Sequence, residues 1–558
     1  MPAAILTIMC WLVWTPPVRA EEGGDGGGGG PGPIRLDVFG GQGVSTAPPA
    51  GTDIGALIGA GAFYSAGYTG TRAVAANIEN NHAWNGHETL GHLTTFLDAA
   101  GYATPAPAGH PTAVSGLLAG RRTSAGGTHQ QGIAFGAELW SGAFGIDPDV
   151  GVVTPLVRAM QAGVNGRRAN VINSSWSTIL FDPAATEPNP ALLIDALVAA
   201  NGQTYVCSAG NAGPGANSLT PPASCYNTLA VAALAGPDYT AVAGFSSRGG
   251  SDYYNPVTRQ TVAGARATVD LAAPGQMLLV ATYNGAASAA DAYVVGQGTS
   301  FASPLVAGGA ALLVDVGYDR FGGGSAVDGR VVKSVLQNAA RPTHGWDNGT
   351  RRGADGVWRT TQALDFAAGA GAVDLERGFH QFTDGTTDVP GLGGGEVRPT
   401  GWDFGRVDAD GFVEYRLEAL PAGTFRGTLN WWVRRSATFR PWGHDYDLAG
   451  AGDDSFVNLD LQLWRLTGDG PADRVLVGAS ESLYNNTELL AISLAEAGRY
   501  ALRVLWAGIH YDRLGTADGV DFGLAWWGEP VPEPAGLVLI LALTGRFVVP
   551  RRGPRKAS

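Results

Sequence analysis

The sequence predicts an α/β protein, with a parallel sheet wound by helices on both faces, followed by a smaller antiparallel β-sandwich. Two patterns carry that expectation. Short apolar runs at Val171–Asn173, Thr204–Cys207 and Thr228–Ala233, each bounded by Gly, Asn or Ser, alternate with helix-like stretches at Pro155–Ala162 and Ala191–Asn201. Strands alternating with helices favour an open parallel sheet. Past Gly369-Ala-Gly-Ala-Val-Asp374 and a glycine-rich break at Gly391–Gly395, the period becomes two. Aromatic-rich segments at Leu429–Val433, Leu459–Trp464, Tyr500–Trp506 and Phe522–Trp527 alternate there, as the strands of a sandwich do. A chain of 558 residues has room for both units.

In chain order, residues 1–20 have the apolar run (Ala3 to Trp14) and small-residue cleavage site (Val18-Arg-Ala20) of a secretory signal peptide. Residues 21–33 are a glycine-rich linker with no capacity to fold. The α/β domain is expected over 34–380 and the sandwich over 395–529. Arg72-Ala-Val-Ala-Ala-Asn-Ile-Glu79 reads as a buried strand ending in a carboxylate, and His110-Pro-Thr-Ala-Val-Ser-Gly116 as the start of a helix. In residues 530–556, Val531-Pro-Glu-Pro534 precedes an apolar stretch and then Arg551-Arg552 and Arg555-Lys556. A short motif, a hydrophobic tail and a basic stop make a sorting or anchoring signal.

Charged residues are 15% of the chain and the formal net charge is −13, which argues against a nucleic-acid partner, since that needs a basic patch. Of three cysteines, Cys10 falls in the leader. Cys207 and Cys225 remain, and in an exported protein they are a disulfide candidate; two buried thiols on neighbouring strands are the alternative. No Cys/His cluster has zinc-site spacing and no loop has ordered calcium-ligand spacing, so no metal or cofactor is assigned, and a structural calcium has no motif behind it.

The chemistry centres on Gly296-Gln-Gly-Thr-Ser-Phe-Ala-Ser-Pro304. Two glycines and a threonine deliver Ser300 to the entrance of an apolar helix, whose N-terminus carries unpaired N–H groups and partial positive charge. That suits an anion forming beside the serine oxygen. An ordinary helix cap would explain Gly-Thr-Ser alone, but the longer string Gly-Thr-Ser-x-Ala-x-Pro resembles the serine motif of subtilisin-like proteases (subtilases). His110-Pro-Thr-Ala-Val-Ser-Gly resembles their histidine motif, with Pro111 for the usual glycine and Ser115 for the usual alanine. Tyr205-Val-Cys-Ser-Ala-Gly-Asn-Ala-Gly213 resembles the segment bearing their oxyanion asparagine. Further strings, Val171-Ile-Asn-Ser-Ser-Trp-Ser177, Phe245-Ser-Ser-Arg-Gly249 and Asp270-Leu-Ala-Ala-Pro-Gly275, resemble framework motifs in family order.

The resemblance implies a subtilisin-like fold and a serine endopeptidase with Ser300 as nucleophile, His110 as general base and Asn211 as oxyanion donor. The family places an aspartate where this chain has Glu79; Asp53 and Asp98 are the substitutes, though neither follows a comparable strand. The implied substrates are proteins or peptides bound as an added strand, with Ser174, Ser175, Trp176, Ser208, Ala209 and Gly210 beside the specificity pocket. The C-terminal segment resembles a PEP-CTERM signal, which implies exosortase-type sorting machinery as a partner, membrane contact through that segment alone, and an exported location at the bacterial cell envelope or outside the cell. The rival expectation is an impaired subtilase scaffold serving as a surface binding module, with the sandwich binding polysaccharide or protein. Trp431-Trp432 and Trp526-Trp527 would mark its face if exposed; the alternative is sandwich core for at least one member of each pair, because neighbours on a strand point to opposite faces.

Overall fold

The computed structural model describes residues 53–98, 106–123, 127–145, 151–178, 190–286, 288, 290–391, 393–443, 445–470 and 472–530. The expected leader, linker and sorting segment lie outside the described residues, apart from residue 530.

Seven parallel strands make the first sheet: β1 (Val74–Glu79), β2 (Thr95–Asp98), β3 (Glu138–Ala143), β4 (Val171–Ser174), β5 (Thr204–Ser208), β6 (Leu229–Ala235) and β7 (Leu271–Pro274). Their order is β7-β6-β5-β4-β1-β3-β2, with a two-residue strand, Ala241–Val242, antiparallel on β6. The chain leaves β1 to one side for β2 and β3, then crosses to the other for β4 onward. The C-terminal ends of β1 and β4 therefore form the topological switch point, where open α/β sheets bind their ligands. All six residues of β1 are buried, as a central strand covered on both faces requires. A hairpin, β8 (Leu278–Ala281) with β9 (Tyr293–Gly296), leads directly into the serine segment.

Five helices matter most here: α1 (Gly109–Ala119), α2 (Pro190–Asn201), α3 (Thr299–Phe321), α4 (Gly329–Ala339) and α5 (Leu375–Thr383). The central one is α3, buried from Thr299 through Gly317. It is long and apolar enough to cross a membrane, but its apolar window is wholly buried inside the protein, so it is a core helix. Small residues let neighbours close on it. A Cβ on Gly308 would lie 2.5 Å from Ile133, and one on Gly309 2.5 Å from Leu375. Near its end, the buried Asp315 accepts the backbone N–H groups of Thr69, Gly70, Thr71 and Arg72 and pairs with the Arg72 guanidinium at 2.9 Å. That bundle of charge-assisted bonds fixes where β1 enters the sheet.

The sandwich is built from β10 (Gly401–Asp408), β11 (Phe412–Leu420), β12 (Gly423–Trp431), β13 (Arg434–Trp442), β14 (Asp445–Leu466), β15 (Arg474–Ser480), β16 (Thr487–Leu494), β17 (Gly498–Asp512) and β18 (Gly519–Pro530). One sheet runs β15-β14-β17-β11, with β13 antiparallel on β14; the other runs β10-β18-β12-β16. These long strands pair antiparallel, as the alternating pattern predicts. Short parallel additions come from the connecting chain: Trp358–Thr360 pairs with β15 and Thr386–Thr387 with β10.

The sandwich packs on α4 through a polar seam. Asn430 Nδ2 donates to Ser334 Oγ and Gln337 Oε1, Thr428 Oγ1 to Asn338 Oδ1, and Trp527 Nε1 to the Asn338 carbonyl, each at 2.9 Å. Against α2, Arg435 of β13 pairs with the buried Asp195 at 2.7 Å and with Asp453 at 2.9 Å.

Two expectations need correction. Cys207 and Cys225 are both free and buried. Their thiols point to different carbonyls, Leu229 and Ala191, because Cys207 sits inside β5 while Cys225 follows the turn before β6. Burial pushes both thiols well up from their ordinary range. The tryptophan pairs do not form an exposed aromatic face either: Trp431, Trp432, Trp526 and Trp527 are all buried. Trp431 and Trp526 fill the sandwich core, while Trp432 packs into the core it shares with the α/β domain.

Candidate active site

Glu79 ends β1 at the switch point and is 1% exposed. Its backbone is held on the β3 side by the Phe144 N–H, which donates to the Glu79 carbonyl at 3.0 Å. Its Oε2 lies 3.4 Å from His110 Nδ1, whose side chain is 25% exposed. His110 stands in the first turn of α1, followed by Pro111. A proline there costs the helix nothing, since first-turn N–H groups have no intrahelical acceptor. Thr112 braces the turn, donating to the Ala108 carbonyl at 2.6 Å and accepting the Trp84 N–H at 2.9 Å. The hairpin closes from the other side, where a Cβ on Gly109 would lie 2.8 Å from Thr282 Oγ1. The substitutes for Glu79 are engaged elsewhere. Asp53 caps a helical turn at Ile54–Leu57, and Asp98 pairs with His82, whose other ring nitrogen contacts Ser141 Oγ.

Ser300 is the second residue of α3, and the ring of its neighbour Phe301 lies 6.0 Å from that of His110. The Ser300 Oγ donates to the Ser175 carbonyl at 3.4 Å, and among the described residues His110 Nε2 has no hydrogen-bond partner. A catalytic hydrogen bond between serine and histidine often forms fully only in the substrate complex. Pro304 adds a local demand. It has no N–H for the Ser300 carbonyl four residues earlier, an acceptor the helix would otherwise satisfy. Ser175 Oγ fills that role, donating to the Ser300 carbonyl at 3.0 Å.

Asn211 follows β5. Its Oδ1 accepts both the backbone N–H and the hydroxyl of Thr299, at 3.0 and 2.9 Å. With the oxygen engaged twice, the amide cannot flip, and Nδ2 is the atom left for a ligand. Gly298 borders that nitrogen. Its φ is +149°, and a Cβ built on it would lie 3.4 Å from Asn211 Nδ2 and 3.7 Å from the Ser300 N–H nitrogen. Two donors thus flank a gap that only glycine leaves open.

The six residues expected beside the specificity pocket cluster at the ends of β4 and β5. Ser175 reaches Ser300 as described, and the Gly210 N–H donates to Thr299 Oγ1 at 3.1 Å. Ser174, Trp176, Ser208 and Ala209 are buried; Ser174 Oγ bonds Tyr205 Oη at 2.7 Å and Trp176 packs edge-on against Phe144. Among the described residues, no group of three or more His, Cys, Asp or Glu side chains is placed to hold a metal ion. The histidine motif marks Ser115 only as a departure from alanine, and nothing in the motif strings marks Asn77 or Ser303; all three lie buried between these elements. Pro304 is the one signal that points to an external donor near Ser300.

Residues 97–371 match the model of the Subtilase family, Peptidase_S8. This region is a subtilase domain. The match takes in His110, Asn211 and Ser300 and begins after Glu79. Among solved structures, the chain is similar to a prenylagaramide maturation protease, at 22% identity and a TM-score of 0.42, over 58% of this chain and 98% of that one. It is also similar to a protease from Pseudoalteromonas arctica, at 19% identity and a TM-score of 0.42, over 60% and 98%.

Proposed function

We propose that the protein is an exported serine endopeptidase that cleaves peptide bonds through an acyl-enzyme. The observation that carries this reading is the pairing of Glu79 with His110 at the switch point of a subtilase domain, beside a serine at the entrance of α3. In this reading, His110 Nε2 takes the Ser300 proton as Oγ attacks the scissile carbonyl. Glu79 holds the Nδ1–H tautomer and stabilises the imidazolium. Charge developing on the carbonyl oxygen is met by Asn211 Nδ2 and the Ser300 N–H, and each such donor contributes on the order of 100- to 1000-fold in turnover. His110 then returns the proton to the leaving amine, and water repeats the sequence on the acyl-enzyme. Asn211 is pre-oriented by Thr299, so the site needs little rearrangement to receive the oxyanion.

The same proposal includes export by the N-terminal segment and sorting to the cell envelope by the tail, as their sequence patterns suggest. The rival binding-module reading loses its aromatic face, since all four tryptophans are buried. The test is labelling by a fluorophosphonate probe, which reports an activated serine without knowledge of the substrate. Wild type should label, while Ser300→Ala and Glu79→Ala should not. Folded wild type that never labels would remove the peptidase reading.

A further inference from the structure

Four elements meet at the site: β1 with Glu79, α1 with His110, α3 with Ser300, and β4 with the Ser175 segment. A single buried chain of hydrogen bonds joins them. Asn77 precedes Glu79 by two positions, so both side chains leave β1 on the same face. Asn77 Nδ2 donates to Ser115 Oγ on α1 at 3.0 Å and reaches the Pro111 carbonyl at 3.5 Å. Asn77 Oδ1 accepts from Asn173 Nδ2 on β4 at 3.0 Å. Asn173 Nδ2 also donates to Ser175 Oγ at 3.2 Å, and Asn173 Oδ1 accepts from Ser303 Oγ on α3 at 2.6 Å. Ser175 Oγ completes the path to the Ser300 carbonyl freed by Pro304. Asn77, Ser115, Asn173 and Ser303 are all fully buried.

We infer that Asn77 is a positioning residue that sets the separation of Glu79 and His110 by tying β1 to α1 and β4. Three features support this. An apolar side chain would be the ordinary occupant of a central parallel strand, and a buried amide costs free energy unless fully partnered. Here both amide atoms are partnered, and every partner belongs to an element that carries a site residue. The bonds also have a fixed direction, because each amide nitrogen donates and each amide oxygen accepts, so one arrangement of the four elements is selected. Finally, Glu79 itself is weakly held: among the described residues, Oε1 has no hydrogen-bond partner and Oε2 has only the 3.4 Å contact with His110. Its position therefore depends on the strand that carries it.

This inference rests on the proposed catalytic roles, and the experiment separates the two. The variants are Asn77→Leu, similar in volume but unable to bond, and the milder Ser115→Ala, which removes only the acceptor on α1. The His110 ring is read by NMR, through the downfield Nδ1 proton that a hydrogen bond to the Glu79 carboxylate gives, and the rate of fluorophosphonate labelling is followed beside it. Among the described residues, Glu79 is the charged group within ion-pair distance of His110. Displacing its carboxylate should move that proton signal upfield in Asn77→Leu, with a smaller shift in Ser115→Ala. Labelling should slow by about 10- to 100-fold in Asn77→Leu, the scale of an ångström-sized misplacement. Asn77→Gln, which keeps both amide atoms, should recover part of the loss. If Asn77→Leu does not fold, Ser115→Ala decides by the same two readouts. An unchanged His110 Nδ1 proton signal in a folded variant overturns the inference. A shift of that signal in a protein whose wild type never labels supports the positioning role while removing the peptidase reading.

Discussion

Shortening Glu79 to aspartate tests the catalytic reading most directly, because it restores the side chain usual for the family on a backbone arranged for glutamate. The Glu79 backbone has little freedom. It is registered opposite Ala143 on β3, and Asn77 is registered opposite Asn173 on β4. Removing one methylene therefore withdraws the carboxylate by about one C–C bond, ~1.5 Å. The contact with His110 Nδ1 would lengthen from 3.4 Å to about 5 Å, past hydrogen-bond range. At an effective dielectric constant of about 20, the Coulomb attraction of the imidazolium falls by roughly 1.5 kcal/mol, or about tenfold in rate. Loss of the orienting hydrogen bond brings the expected fall in kcat/KM to between about 10- and 100-fold. KM should change little, since Glu79 does not face the substrate. Glu79→Gln keeps the length but removes the charge, and a neutral amide that selects the wrong imidazole tautomer costs on the order of 10⁴-fold. The assay is the second-order rate of fluorophosphonate labelling, together with turnover of a chromogenic peptide. A Glu79→Asp variant as fast as wild type, in a folded protein, would refute the claim that the backbone is set for the longer acid.

Two further predictions concern the sandwich. Arg435→Met leaves Asp195 buried without its cation, although the Tyr226 and Asn227 N–H groups still bond it. Breaking a buried pair from one side costs about 3–5 kcal/mol, so the urea midpoint should fall clearly, and adding Asp195→Asn should recover most of the loss; a midpoint unchanged by Arg435→Met would show that the pair adds nothing to stability. The second concerns pH. Burial raises Asp460 to about 7, with Glu481 adding to the effect, and raises Asp403 to about 6. A carboxyl raised in the folded state stabilises fully below its unfolded pKa near 4, and that contribution is lost as pH rises through 6 to 7. Tm should therefore be higher at pH 5 than at pH 8, and Asp460→Asn should flatten that difference; equal melting temperatures for wild type at the two pH values would refute the assignment.

Much of the fold and of the candidate site was legible because each landmark rests on a local rule. The β1 and α1 segments begin and end within a few residues of expectation, since burial on both faces and a helix start leave clear marks. Asn211 and Ser300 could be found because glycines flank them where backbone must turn or approach closely. Other features depend on tertiary partners and left no local mark. In α4, Lys333, Ser334, Gln337 and Asn338 give the pattern of a half-exposed helix, yet all four are buried and bonded. Lys333 pairs with Asp270 at 2.8 Å and donates to the Thr228 carbonyl. The core reading holds for Trp431 and Trp526, while the exposed-face reading of the tryptophan pairs failed for a related reason. Neighbours on a strand face opposite ways, and here the second face is covered by another domain rather than by water. Asn77 was hidden inside an otherwise apolar strand, where one polar residue reads as an exception.

The same covering argues that the sandwich is part of the enzyme's fold. An appended module would meet its neighbour through a small, largely polar and separable interface. Here, α4 directs buried polar side chains toward β12 and β18: Ser334 Oγ, Gln337 Oε1 and Asn338 Oδ1 accept from Asn430 and Thr428, and they would lose those donors if the sandwich left. Trp402, Trp432, Leu489 and Ala525 belong to the core that includes β1 and α3. Arg426 of β12 reaches across to the Gln337 and Ala370 carbonyls, and burial lowers its pKa to about 9, so its charge is tolerated only while those carbonyls enclose it. Removing residues 395–530 would uncover this polar seam and part of the core together. The helix end that presents Ser300 belongs to the same α3 that runs through that core, so loss of the sandwich would reach the Ser300 segment through α3.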